Sequence, residues 1–197
     1  GASSSPNATA PTVVNSAGAA IAFGSATAIN FTAGVATVTS SKNGLMNLYK
    51  AESPSITVSD GSISSVAPVA ATVSPTTASK FGFTSVSVSA GTLSSSCIFT
   101  CTLTNLGNSG TVKAKVAVAD AYGNTVSALG AGHAVKVTTN GSGTISGTPL
   151  AIPSAGAAES ATTFTYTSKS SGSFTEIITA AASEGTAYAS ATLTASK

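Results

Sequence analysis

The chain has 197 residues, of which only 7% are charged and 6% aromatic, with no Trp and a formal net charge of +2. It contains no Arg, and its eight Lys are scattered, so nothing forms the basic patch that nucleic acid requires. No run approaches the ~18 apolar residues of a membrane helix, and the aromatic girdles of a transmembrane barrel are missing.

Low charge combined with Val, Thr and Ile in alternation points to strands with Ser, Thr and Ala on their outward faces, not to a disordered chain. Gln is absent too, so side-chain nitrogen is confined to Lys, Asn and one His. That composition suits a protein exported in bulk. With no signal peptide at Gly1, the expectation is a mature or excised chain.

Residues 1–12 (GASSSPNATAPT) are small, polar and punctuated by Pro, the composition of a linker or extended arm. Short apolar pieces, 13–14 and 19–23, follow, split by Asn15 and Gly18. Two alternating runs, AINFT and VATVT, then flank Ala33 and Gly34, the pattern of a two-residue hairpin. Residues 45–49 and 55–59 read as strands, Asp60 and Gly61 as a tight turn, 66–73 as a closing strand and 74–76 as a joint. An internal repeat supports a division there: residues 34–75 lie over 160–197. Both copies run strand, Ser/Lys-rich turn, strand, Ser/Gly turn, closing strand. A sandwich uses about seven strands and the first part shows about five, so its leading strands are missing.

In the second part, Phe81 and Phe83, then Val86 and Val88, alternate with a phase shift near Thr84 and Ser85, which predicts a bulge. Residues 93–106 and 111–119, joined through the turn at 107–110, read as a second hairpin. Residues 111–124 are TVKAKVAVADAYGN. Val112, Ala114, Val116 and Val118 share one face and Lys113 and Lys115 the other, a half-buried strand ended by turn formers at Asp120, Gly123 and Asn124.

A valine-rich strand running into D-x-Y-G-N resembles the second strand and turn of bacterial immunoglobulin-like surface repeats. These are of the invasin/intimin type, found in adhesins, surface layers and some phage tail proteins. Residues 78–83 are similar to the opening strand of such repeats, 133–139 and the Gly-rich 141–147 to the segments that follow, and 162–195 to the closing strands. The resemblance covers residues 76–197, departs at 97–109 and is partial before 76. It implies an extracellular, cell-surface protein built of sandwiches, an architecture that serves many roles.

Cys97 and Cys101 are the only cysteines. Four extended residues span ~13 Å, too far for a disulfide, so a bridge requires the segment to turn or bulge. A local disulfide is the expectation for an exported chain, with two free thiols as the alternative and metal binding disfavoured, since His133 stands alone. Asn7, Asn30 and Asn140 open N-x-[ST] sequons. Asn140 is in a turn and is the best acceptor, whereas Asn30 falls within a predicted strand. Asp60, Asp120, Glu52 and Glu184 are too dispersed for a calcium site, and Asp120 reads as a turn residue. A Lys–Asn isopeptide using Lys113, Lys115 or Lys136 with Glu176 is disfavoured because 186–197 contains no Asn. His133 and Glu176 read as a strand-edge residue and a solvated strand face. No nucleophile, phosphate loop or cofactor motif is legible.

The expectation is therefore an all-β chain of tandem immunoglobulin-like sandwiches, incomplete over 1–75 and complete over 76–197. It would be a structural subunit of an extracellular bacterial assembly, surface layer or filament, polymerising with itself through edge strands, and not an enzyme. The open edge of 1–75 would take a donor strand, residues 1–12 or 186–197 of a neighbour, unless upstream sequence of a longer parent chain completes it. The alternatives are an adhesin or phage-tail binding module, with cell-surface glycan as its ligand, and an accessory region of an enzyme.

Overall fold

β-Branched residues alternating with small polar ones favour extended backbone with one apolar face. In a computed structural model, which describes residues 1–94, 97–127, 129, 132–154, 159–184 and 188–197, strands occur and no helix does among the described residues. They belong to two compact units, Gly1–Ser74 and Pro75–Lys197.

In the first unit β1 (Thr12–Val14) pairs antiparallel with β2 (Ala20–Ala22) on one side and β3 (Met46–Asn47) on the other. Asn15 makes the β1–β2 turn, its Oδ1 accepting the N–H groups of Ala17 and Ala19. A separate pair joins β4 (Ser55–Ile56) to β5 (Val69–Ala70). The hairpin expected at 27–39 is reduced to its turn. Thr32 and Val35 exchange both backbone hydrogen bonds around Ala33 (φ 49°) and Gly34 (φ 79°), the positive dihedrals of a type I′ turn, but no ladder extends from it. The strands expected at 45–49, 55–59 and 66–73 likewise shrink to two-residue pieces. An alternating strand gains little until its apolar face is covered, and the hydrophobic side chains buried in this unit are Val14 and Ile56. Residues 1–12 are also not a free arm. Ser5 is buried, its Oγ accepting the N–H of Thr9, and the N–H of Ser3 donates to Glu52 Oε1 at 2.6 Å.

The second unit is an immunoglobulin-like sandwich. One sheet has the order β11 (Thr144–Ser146), β13 (Phe164–Thr167), β9 (Thr111–Ala119), β6 (Lys80–Val88). The other runs β12 (Leu150–Ile152), β10 (His133–Thr139), β14 (Thr175–Glu184), β15 (Ala191–Ser196), β8 (Thr100–Thr104), β7 (Thr92–Leu93). In immunoglobulin letters β6, β9, β13 and β11 stand as A, B, E and D, and β10, β14 and β15 as C, F and G. The expected bulge is present: the β6–β9 register shifts between Thr84 and Ser87, where Ser85 has φ 51°.

The expected hairpin of 93–106 with 111–119 does not form. The chain crosses between sheets at 107–110, so β8 pairs parallel with β15 while β9 lies in the other sheet between β6 and β13. Inward residues of both sheets make one core. Phe81, Phe83, Val112, Val116, Phe164, Tyr166, Ile178 and Leu193 are all buried there, and the Phe83 and Phe164 rings lie 5.8 Å apart.

Candidate functional site

The first unit leaves its apolar side chains uncovered. Phe31, Val58, Ile63 and Val66 are 66%, 69%, 74% and 106% exposed, and Val35, Val38, Met46 and Val69 are exposed with them. Val13, Phe23, Phe31, Val38, Met46 and Ile56 line a shallow groove of about 660 Å³. The two stretches that the sequence sets against each other, 34–75 and 160–197, differ in how they are paired. In the second, β13 is paired on both sides, with Phe164 and Tyr166 wholly buried. In the first, residues 35–39 have no ladder and Val38 is solvated. Soluble monomers seldom expose large contiguous apolar patches.

Cys97 and Cys101 are joined by a disulfide with Cα atoms 4.5 Å apart, closed by a turn of the segment between them. Cys101 is wholly buried and packs in the main core, with Cys97 against it.

The three sequons lie in different places. Asn7 is exposed in a turn. Asn30 is exposed and lies outside any strand, correcting the strand placed there; its N–H donates to Asn43 Oδ1 and its carbonyl accepts from Asn43 Nδ2. Asn140 is exposed just after β10, and its Oδ1 accepts the Ile177 N–H at 2.7 Å.

Two residues are placed differently from expectation. Glu176 is not on a solvated face. It falls on the inward phase of β14 and is buried. Burial works against its charge, but it accepts hydrogen bonds from the Gly143 N–H, the Tyr166 hydroxyl, Thr139 Oγ1 and the Ser142 N–H, and these hold its carboxyl below its ordinary pKa. The loop after β10 is moulded onto this carboxylate: a Cβ at Gly141 would collide with the Glu176 side chain, and one at Gly143 would fall 2.8 Å from Glu176 Oε2. His133 is not at a sheet edge either, because β10 lies between β12 and β14. It is buried with its ring 5.1 Å from that of Tyr188.

Asp120 is the turn residue the sequence indicates and more. Oδ1 accepts the N–H groups of Tyr122 and Asn124, while Oδ2 accepts Asn124 Nδ2 and the N–H of Thr76. Asp60 closes its own turn through the N–H groups of Ser62 and Ile63. Lys115 pairs with Glu159 at 2.8 Å, and Thr84 Oγ1 donates to the same carboxylate. Among the described residues no group of three or more His, Cys, Asp or Glu side chains is placed to hold a metal.

No protein-family model matches the chain, and no curated protein matches it. Among solved structures, the crystal structure of the S-layer protein SbsC domains 4 and 5 is similar at 14% identity with a TM-score of 0.27, over 93% of this chain and 92% of that one. That likeness does not single out repeats of the invasin/intimin type, and the sandwich assignment rests on strand order alone.

Proposed function

We propose that this chain is a structural component of an extracellular bacterial assembly, a surface layer or filament, and that it acts by strand-mediated assembly and load-bearing, not by catalysis. The observation that carries this reading is the exposed apolar side chains of the first unit, in contrast to β13, β14 and β15 of the second, each of which is paired on both sides. Unpaired strand edges beside solvated Val, Ile and Phe side chains favour association with another strand-forming surface. A second copy of the chain is the partner proposed here. The disulfide supports an oxidising, extracellular location.

The strand order disfavours one donor segment, residues 186–197. β15 (Ala191–Ser196) already pairs with β14 and β8 and alternates buried residues into its own core, so leaving it would cost those contacts.

Electron microscopy and sedimentation of the purified chain test the proposal. A lattice, fibre or concentration-dependent oligomer is expected, with amides of residues 31–38 and 56–69 gaining exchange protection on assembly. A monodisperse monomer at every concentration would sink it.

A further inference from the structure

Consecutive carbonyls of the disulfide loop serve different sheets. The Ile98 carbonyl accepts the N–H of Phe83 in β6 at 2.7 Å, and the Phe99 carbonyl accepts the N–H of Thr192 in β15 at 2.9 Å. The Ile98 side chain lies over Gly82, where a Cβ would come within 2.7 Å of Ile98 Cγ1. The Phe99 ring sits 4.7 Å from Lys80 Nζ. Ile98 and Phe99 are both buried, yet they cluster with Ala119 apart from the main core. The two residues therefore form a wedge across the seam between the edge strand β6 and the strand β15 of the opposite sheet. Two backbone hydrogen bonds and a satellite cluster hold it, and the bridge between its flanking cysteines restrains it.

We propose that the Cys97–Cys101 bridge is a redox-operated clasp on this seam. Oxidised, it keeps the wedge seated; opened by a thiol reductant, it releases residues 98–99 and uncovers the Phe83 N–H while the rest of the sandwich stays folded. Segments with few core contacts open locally at lower free energy than the whole domain. The sulfur within reach is that of Cys97, which is half-buried where Cys101 is wholly buried. A thiolate of a dithiol reductant attacks Cys97 Sγ, the S–S bond breaks, and Cys101 leaves as a thiolate that takes up a proton. The second thiol of the reductant then attacks its own sulfur in the mixed disulfide. This frees Cys97 as a thiol and leaves the reductant as a cyclic disulfide. The clasp concerns a seam inside the second unit and stands whether or not the first unit drives assembly.

Hydrogen exchange of the full chain, with and without dithiothreitol, is the test. Reduction is expected to speed exchange at the Phe83 and Thr192 amides by about ten-fold or more, while the Val116 and Ile178 amides keep their protection. The double variant Cys97→Ser, Cys101→Ser should show the fast pattern without reductant and no response to it. Unchanged exchange at Phe83 and Thr192 would overturn the clasp. So would loss of protection across the whole sandwich, since the bridge would then be a general staple of the unit.

Discussion

Glu176 is a buried carboxylate whose charge is held by four donors, including the N–H groups of Ser142 and Gly143 and the Tyr166 hydroxyl. Replacing one oxygen by an NH₂ turns an acceptor into a donor facing donors, so Glu176→Gln is expected to destabilise the unit by about 2 kcal/mol at neutral pH. The pH dependence has a definite sign. The folded-state pKa values of Glu176 and Asp120 lie below their ordinary ones. The stability these groups add is therefore fully present above their unfolded values near ~4 and is lost as pH falls through the folded values. The contribution of these two carboxylates to melting temperature should be nearly constant from about pH 5 to 8 and fall below about pH 4. The Glu176→Gln penalty should shrink over that same acid range; an equal penalty at pH 3 and pH 7 would show that charge is not what matters there. In the sequence, Asp120 was legible because D-x-Y-G-N is turn chemistry and its partners are local. Glu176 carried a signal too, since in FTEIITA it shares the phase of Phe174 and Ile178. What hid it is that two of its donors, the Ser142 and Gly143 N–H groups, sit in a loop more than thirty residues away in sequence, a distance that periodicity cannot see.

The alternation of β9, the phase shift of β6 and the two-residue turn at Ala33 and Gly34 could all be read locally, and all are present. The partner of β8 could not. A short alternating run says which face is buried but not which neighbour pairs with it, and the turn at 107–110 carries the chain to the opposite sheet instead of back along the same one. Gly82 shows how closely the disulfide loop fits these elements. In an open strand Gly→Ala stabilises by roughly 0.5–1 kcal/mol. Here the added methyl meets Ile98, so Gly82→Ala should instead destabilise by about 1–3 kcal/mol. Chemical denaturation decides the sign, and a stabilised variant would mean that the wedge does not sit over β6. Loss of the bridge in Cys97→Ser opens only a short loop, worth at most about 2 kcal/mol of chain entropy, so that variant should still fold.

At the scale of the molecule the internal repeat carried the most information. It sets residues 34–75 against 160–197, and the structure puts the short strands β3, β4 and β5 in the first stretch and β13, β14 and β15 in the second. It did not reveal how short the strands of residues 34–75 would be. The two units consequently differ in what holds them. The second has a continuous two-sheet core from Phe81 to Ala195, whereas the buried hydrophobic side chains of the first are Val14 and Ile56. Burial of apolar area is the main stabilising term, at roughly 25 cal/mol per Å², so cooperative unfolding should belong to the second unit. Residues 75–197 produced alone are expected to unfold in one transition, with a melting temperature within about 5 °C of the main transition of the full chain. In the unassembled full chain, protease should cut first within residues 24–74, and exchange there should be fast. Assembly should abolish both signs. If unassembled residues 1–74 instead show protection equal to that of β9 and β14, the first unit is stable with its apolar face in water, and the driving force proposed for assembly is absent.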